Sequence, residues 1–327
     1  MQGKLESTTA LFHGSAAGEA KKMNELIRDL RSRIAVHGLG ASPKLTPFVT
    51  LSWAQSLDGS LAGPQGPAGR RLILSGPDSM RLTHWLRASH QAILVGSGTL
   101  IADNPKLTVR LVPGKSPLRV ALDSRLCIPD DAALLRTPAD LVLLALSNAL
   151  ETAKLAERAA ELRNRGVRIL TVPADSSGRL NLRTAFILLH SQLGINSLMV
   201  EGGAHVIGSV VRAGLAHHAV ITVAPLLVGG LRPPFAADKP REAVVAAADA
   251  ADATDTDAAD STAGSAVTCG AILPQPSESQ PSLRDLFSFS LGADVVISGR
   301  CNSNPQSTMS ACAHVCESSI SLPVTRG

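Results

Sequence analysis

Short runs of apolar residues alternate along the chain with longer segments in which apolar residues recur at helical spacing. The runs 92–95, 141–146 and 198–200 are continuous and apolar, which is typical of strands buried on both faces of a sheet. Segments such as 182–193 place apolar residues three and four positions apart and predict amphipathic helices. The alternation of the two patterns predicts an α/β fold in which the carboxyl ends of the strands line a ligand crevice.

The same criteria give the order of the remaining elements. Helices are predicted over 19–36, around 80–86, over 150–165 and 182–193, and after Gly203. Strands are predicted from Phe48 up to a turn at 56–59, and over 92–95, 118–123, 141–146, 167–172, 198–200, 219–223 and 286–297. Residues 107–110 are expected to be extended.

The chain divides into three predicted parts. Residues 1–46 form an N-terminal helical extension, 47–301 form the main domain, and 302–327 form a disordered polar tail. Within the main domain, 236–285 is rich in Ala, Asp, Ser and Pro, with no Lys or Arg between Arg241 and Arg284. Such a segment has little apolar surface to offset the entropy of ordering, so we predict a disordered acidic insertion.

Two predicted strands end in glycine-rich turns that carry an acidic residue. One turn contains Glu201 before Gly202 and Gly203, and the other runs from Gly96 to Asp103. Glycines let backbone amides at the start of a helix approach a bound anion closely, which predicts a phosphate seat; an ordinary tight turn is the alternative. Neither the 96–101 turn nor the segment 38–43 matches the Rossmann fingerprint, because Ile101 and Pro43 stand where its last glycine belongs, and no strand precedes Gly38.

Two charged residues are candidates for chemistry, each with a purely structural alternative. Asp58 ends the turn after the first strand, where it is a candidate acid or simply binds turn amides, as an Asp before Gly often does. Arg87 lies at the end of a predicted helix, where it either contacts a ligand or interacts with the helix dipole.

Composition excludes several classes of protein. The chain of 327 residues has six Phe, two Trp and no Tyr, which argues against a Tyr-dependent short-chain dehydrogenase and against a nucleic-acid surface built on base stacking. The net charge of +4 is spread without a Lys/Arg cluster, so we predict no nucleic-acid partner.

The cysteines and the apolar runs predict the cellular setting. No run reaches membrane-spanning length and the N-terminus lacks a secretory apolar core, so no membrane partner is expected. Five cysteines, an odd number, indicate a reducing, cytoplasmic location. Cys312, His314 and Cys316 lack a second ligand pair at zinc-finger spacing, so no metal site is predicted.

Four motifs in a fixed order resemble the riboflavin-biosynthesis pyrimidine reductases. They are FVTLSWAQSLDG at 48–59, AILVGSGTLIADNPKLTVR at 92–110, RVALDS at 119–124 and LMVEGGA at 198–204. The resemblance covers about 47–235 and resumes at 291–300. It implies a dihydrofolate-reductase-like fold, with a single mixed, mostly parallel sheet flanked by helices. It also implies NADPH as cofactor, with NADH left open, and a homodimer.

The resemblance also assigns residues, position by position. It implies substrate contacts from Arg87, Leu107, Arg110 and Glu201, with arginines suited to a bidentate grip on phosphate. It implies that the cofactor is bound by Ala54, Thr99, Asp103, Ser124, Leu180, Glu201, Gly202, Gly203, Ala204 and His205. Glu201 and Asp58 are the candidate catalytic residues, and bound water is a third source for a proton donor that stays unassigned.

The implied reaction converts a ribosylaminopyrimidine 5′-phosphate to its ribitylamino form. The zinc deaminase motifs of bifunctional bacterial members are absent, and Ser52, Ile73 and Asn104 depart from the bacterial pattern. The motif SWAQSLD at 52–58 resembles the fungal branch. We therefore expect a stand-alone reductase of 2,5-diamino-6-ribosylamino-4(3H)-pyrimidinone 5′-phosphate. The alternatives are the deaminated 5-amino-6-ribosylaminouracil 5′-phosphate, another carbonyl or imine substrate, and a non-catalytic NADP-binding scaffold.

Overall fold

A nine-stranded sheet forms the centre of the protein. The structure, a computed structural model, describes residues 17–37, 39, 44–62, 72–233 and 281–302. The strands lie in the order β5-β4-β3-β2-β6-β1-β7-β9-β8, and β9 runs antiparallel to both of its neighbours, β7 and β8. Their bounds are β1 Phe48–Ser56, β2 Ala92–Gly96, β3 Leu118–Leu122, β4 Leu141–Leu146, β5 Arg168–Val172, β6 Ser197–Val200, β7 His218–Ala224, β8 Leu283–Leu291 and β9 Asp294–Cys301. The predicted fold class, a mixed and mostly parallel sheet, is confirmed.

Helices cover both faces of this sheet. Their bounds are α1 Ala17–His37, α2 Pro77–Ser89, α3 Ser97–Asp103, α4 Ala153–Asn164, α5 Leu182–Leu193 and α6 Ala204–Arg212. Because successive side chains of a strand point to opposite faces, Ile93 and Val95 of β2 pack into a core with α1, α2 and α4. Ala92 and Leu94 pack into a second core with α5 and α6.

Local signals at the ends of α5 match its observed limits. The side chain of Asn181 accepts a hydrogen bond from the Thr184 N–H at 3.0 Å, which caps the first turn. Gly194 ends the helix in the left-handed region at φ 66°, a conformation that glycine adopts without strain. The prediction of a helix over 182–193 is confirmed at both ends.

The N-terminal helix belongs to the same core as the main domain. The prediction over 19–36 is confirmed by α1, whose Met23 and Leu30 are completely buried. These side chains share one apolar cluster with Leu82 and Leu86 of α2 and with Phe289 of β8. Residues 17–37 are therefore a structural layer of the domain.

The single strand predicted over 286–297 is wrong. The segment is a hairpin of β8 and β9, which turns at Gly292 with φ 63°. The apolar pattern runs through this turn without interruption, so periodicity alone merges the two strands. β8 begins at Leu283, inside the range predicted as insertion. The remainder of that range, to 280, lies outside the described residues, as do the tail from 303 and the Cys312–Cys316 motif.

Three further boundaries differ from expectation. The glycine-rich turn after β2 is helix α3, which starts directly at Ser97. Residues 107–110, expected to be extended, lie in no strand, and Leu107 departs from an extended backbone with a φ of 54°. The helix predicted over 150–165 begins later, at Ala153, after a short 3₁₀ turn at Asn148–Glu151. Across the described segments, no helix is both long and apolar enough to cross a bilayer.

His90 and His218 are buried within the fold. His90 Nδ1 lies 2.7 Å from the Leu86 carbonyl oxygen, and its Nε2 lies 2.8 Å from Thr50 Oγ1. His218 Nε2 lies 2.8 Å from Ser298 Oγ. Burial is the main cause that lowers the pKa of each imidazole to about 4. Both side chains are therefore neutral in the folded protein at neutral pH.

We expect acid to destabilise the fold at pH values above those at which carboxylates titrate. Between about pH 6.5 and about pH 4 these histidines bind protons in the unfolded chain but not in the folded one, so the free energy of unfolding falls as the pH falls. The loss for each buried histidine is ~2–3 kcal/mol at pH 4. Denaturant titrations over this interval measure it.

The matched variants are His218→Gln and His205→Gln. Removal of the buried imidazole should flatten the pH dependence, whereas His205 is exposed and its replacement should leave the dependence unchanged. Identical pH dependences for the wild type and His218→Gln would contradict the prediction.

Candidate functional site

A large cleft opens at the carboxyl ends of the central parallel strands. Its volume is about 2040 Å³, and Gly96 at the end of β2, Ser124 after β3 and Glu201 after β6 lie in its wall. Pockets for one small molecule usually enclose about 300–1,000 Å³. The cleft therefore has room for a dinucleotide and a second ligand side by side, at the position where α/β sheets commonly bind ligands.

With one exception, the structure places the predicted site residues in this cleft. The exception is Asp58. The residues that line the cleft are Ala54, Arg87, Thr99, Asp103, Leu107, Arg110, Ser124, Leu180, Glu201, Gly202, Gly203, Ala204 and His205. They come from seven separate parts of the chain, so the fold brings the four sequence motifs to one surface.

The two glycine turns pack directly against each other. A Cβ atom on Gly203 would lie 2.9 Å from Thr99 Oγ1, and a Cβ atom on Gly96 would lie 2.7 Å from Val206 Cγ2. Both distances are too short for a side chain, so this approach of α3 to α6 requires glycine. Neither helix receives a hydrogen bond from a capping side chain. The first-turn amides of α6 are thus suited to bind an anion.

The segment after α3 has an unusual backbone. Asn104 ends the helix in the left-handed region, at φ 41°, and its Oδ1 accepts a hydrogen bond from the Ala133 N–H at 2.7 Å. Leu107 also has a positive φ, 54°, and its side chain is 2% exposed. Leu107 therefore packs into the core beside the cleft, whose wall it also lines.

Arg87 and Glu201 form a bidentate ion pair in the wall of the cleft. Arg87 Nε donates to Glu201 Oε2 at 2.8 Å, and Arg87 Nη2 donates to Oε1 at 2.5 Å. Arg87 Nη1 donates to the Thr108 carbonyl oxygen at 3.0 Å. The arginine is 7% exposed. Its main contacts are thus within the protein. Two of its nitrogen atoms, which we expected to bind a phosphate, donate to the Glu201 carboxylate instead.

Asp58 holds a turn outside the cleft. Its carboxylate accepts hydrogen bonds from the hydroxyls of Ser56 and Ser60 and from the Val228 and Gly229 N–H groups. Arg232 Nη2 lies 3.3 Å away. The Ser56 hydroxyl contributes most to a pKa well below the usual range of an aspartate. The structural alternative for Asp58, binding of turn amides, is what the structure shows, and a donor role does not fit this position.

Sequence analysis missed several polar side chains of the cleft. Thr83 and His84 lie on α2, and Ser52 is a buried residue of β1. Arg179 and Arg183 border the cleft near Leu180. The sequence could have predicted Thr83 and His84 as site residues, because positions three and four residues before Arg87 lie on the same face of the helix as Arg87.

Comparison with known proteins identifies the family. The RibD C-terminal domain family matches residues 47–255. The chain belongs to this family. It is 35% identical over 189 residues to the 2,5-diamino-6-ribosylamino-4(3H)-pyrimidinone 5′-phosphate reductase of Methanothermobacter thermautotrophicus, a match that covers 57% of this chain and 81% of that protein. The expected resemblance and the class of enzyme, a pyrimidine reductase of riboflavin biosynthesis, are confirmed.

Other members of the RibD C-terminal domain family differ in length. The riboflavin biosynthesis protein RibD of Aquifex aeolicus is 35% identical over 184 residues, which span 56% of this chain and 48% of that protein. Among solved structures, Saccharomyces cerevisiae Rib7 has a TM-score of 0.55 at 23% identity, with 84% of this chain and 100% of that chain covered. RibD of Acinetobacter baumannii has a TM-score of 0.58 at 24% identity, with 84% and 63% covered. These two structures show the shared fold.

We expect Gly96→Ala to destabilise the domain by about 1–3 kcal/mol, the usual cost of overpacking. The added Cβ would lie 2.7 Å from Val206 Cγ2, and Val206→Ala removes that methyl group. The loss in Gly96→Ala/Val206→Ala should therefore be smaller than the sum of the two single losses. Chemical denaturation measures all three.

Gly98→Ala is the control for this cycle. A Cβ atom at Gly98 meets no atom within 4 Å, and its φ is not positive. This variant should therefore be at least as stable as the wild type, because alanine is favoured over glycine within a helix. Strictly additive losses in the double variant would show that the two turns do not depend on their close approach.

Proposed function

We propose that this chain reduces the ribosyl side chain of 2,5-diamino-6-ribosylamino-4(3H)-pyrimidinone 5′-phosphate to the ribitylamino form, with NADPH as reductant. The observation that carries the proposal is the joining, in one cleft, of the glycine cradle at α6 with the Arg87–Glu201 pair and Arg110. Membership of the reductase family supports it, as do relatives that carry this substrate in their names at 30–35% identity.

The cleft fits a dinucleotide on one side. Gly202, Gly203, Ala204 and His205 form the uncapped start of α6, where backbone amides favour a pyrophosphate. A side chain at Gly203 would occupy the space against Thr99. Further cofactor contacts are proposed for Ala54, Thr99, Asp103, Ser124 and Leu180. The nicotinamide of the bound cofactor supplies hydride.

Another part of the cleft wall fits a phosphate ester with a hydroxylated chain. Arg110 is exposed at its edge, and its guanidinium suits bidentate binding of phosphate. Glu201 is held by Arg87 through two hydrogen bonds, so its oxygens accept hydrogen bonds from substrate hydroxyl or amino groups. Leu107 contributes backbone to the same wall. These residues would orient the reacting carbon of the sugar.

Reduction also requires a proton, and the geometry favours water as its source. Asp58 is outside the cleft wall and has a lowered pKa. Both carboxylate oxygens of Glu201 accept hydrogen bonds from the buried Arg87. We therefore assign Glu201 an orienting role, as an acceptor, and leave the proton to solvent that reaches the open cleft.

The deaminated substrate is the second candidate. Identity does not separate the two, because RibD of Bacillus amyloliquefaciens, at 38%, is as similar as the named diaminopyrimidinone reductases. Ser52 is buried in the cleft wall where bacterial members usually carry Lys, and this difference favours the diamino compound. The homodimer implied by the resemblance and the cytoplasmic location indicated by the cysteines stay predictions; sedimentation of the purified protein tests the first.

The first test follows NADPH absorbance with each of the two pyrimidine phosphates. We expect oxidation with the diamino compound and a product heavier by two hydrogen atoms, as hydride plus proton requires. Turnover of only the deaminated compound would reverse the substrate assignment. Stoichiometric NADPH binding without oxidation by either compound would favour the non-catalytic scaffold.

We expect Arg110→Ala to raise KM for the phosphorylated substrate about 10- to 100-fold, the value of a lost charge-assisted hydrogen bond. The kcat value and the affinity for NADPH should change little. Arg136→Ala removes an exposed arginine that does not line the cleft and should behave as the wild type. An equal rise in KM for the dephosphorylated substrate would show that Arg110 does not bind the phosphate.

A further inference from the structure

Two side chains of α2 hold the segment that carries Arg110. We call residues 107–111 the Arg110 loop. His84 Nδ1 accepts hydrogen bonds from the N–H groups of Arg110 at 3.0 Å and Leu111 at 3.4 Å. Three residues further along the helix, Arg87 Nη1 donates to the Thr108 carbonyl oxygen at 3.0 Å. His84 and Arg87 therefore fix both an N–H and a C=O of the same loop from one helix face.

The loop needs such support. It contains no helix or strand, and Leu107 at its start has a positive φ that residues other than glycine rarely adopt. The Val109 N–H donates to Ser116 Oγ at 3.0 Å, but this contact is exposed. The Arg110 side chain is also exposed. Its direction is consequently set by how the backbone at 110 is held.

His84 is suited to a fixed acceptor role. The residue is 1% exposed. Because Nδ1 accepts two backbone N–H groups, the proton of the neutral ring lies on Nε2. Burial, followed by the charges of Arg87 and Arg110, lowers the pKa of His84 to about 4. At neutral pH Nδ1 therefore carries no proton and can accept both hydrogen bonds.

We propose that His84 is a positioning residue, which holds the backbone of Arg110 and thereby sets the affinity of the cleft for the phosphate of the substrate. The inference rests on the proposed function for its catalytic consequence. The hydrogen bonds between His84 and the Arg110 loop are present in the structure whatever reaction the chain catalyses. Nothing in the family resemblance assigned a role to this position.

The other ring nitrogen offers a rival explanation that the test must separate. His84 Nε2 is buried and has no hydrogen-bond partner among the described residues, and the residue lines the cleft. A role through Nε2 would make His84 a direct ligand of the substrate. Asn and Gln distinguish the two nitrogens, because the Asn oxygen replaces Nδ1, whereas the Gln amide reaches the position of Nε2.

The variants are therefore His84→Asn and His84→Gln, each checked for folding by its melting curve. We expect His84→Asn to keep KM near that of the wild type. His84→Gln should raise KM for the phosphorylated substrate about tenfold, the effect of one lost hydrogen bond, with kcat and NADPH affinity nearly unchanged. KM for the dephosphorylated substrate should not change in either variant. A general structural defect would instead raise KM for both substrates.

A second measurement needs no substrate. Hydrogen exchange of the Arg110 amide in the full chain should be slow in the wild type and in His84→Asn, and fast in His84→Gln. Unchanged exchange in His84→Gln would overturn the proposal. So would a KM that rises in His84→Asn but not in His84→Gln, since Nε2 would then be the functional atom. Failure of the proposed function shows separately, as absence of turnover in the wild type.

Discussion

The ion pair between Arg87 and Glu201 connects parts of the molecule that are otherwise separated by the sheet. The two residues are 114 positions apart. Arg87 lies in the last turn of α2, which packs on one face, and Glu201 precedes α6, which packs on the other. A buried guanidinium without its carboxylate would be costly, so the pair constrains where α2, β6 and the loop at Thr108 can lie. Both residues of the pair line the cleft, so the same interaction also fixes part of the cleft wall.

Much of the sheet was predictable because its strands are buried on both faces. β4 matches the apolar run 141–146 residue by residue, and all of its first five side chains are buried. Glycines marked the turns after β2 and β6. The family resemblance then placed the cleft residues, because the same motifs end those strands. Continuous apolar runs and glycine corners are local signals, and local signals survive in a single sequence.

The parts that were not predictable depend on distant contacts. The positive φ of Leu107 occurs at a residue that is neither glycine nor asparagine, so the sequence carries no local signal for it. The side chain of Leu107 packs in the core, and this tertiary contact accompanies the unusual backbone. The role of Asp58 depends on Val228 and Gly229, about 170 positions away. The hydrogen bond from the Arg110 N–H to His84 joins residues 26 positions apart with no shared pattern. Such contacts arise from tertiary packing, and the periodicity of hydrophobic residues does not predict them.

The limits of the family match and the limits of the folded unit are different. The match ends short of β8 and β9 and begins after α1. Yet β9 pairs with β7 along six residues, and Met23 and Leu30 fill the core beside α2. A fragment cut to the homologous region would expose the edge of β7 and an apolar helix face together. In this chain the region that the family model matches is therefore completed by α1, β8 and β9, which lie beyond it in the sequence.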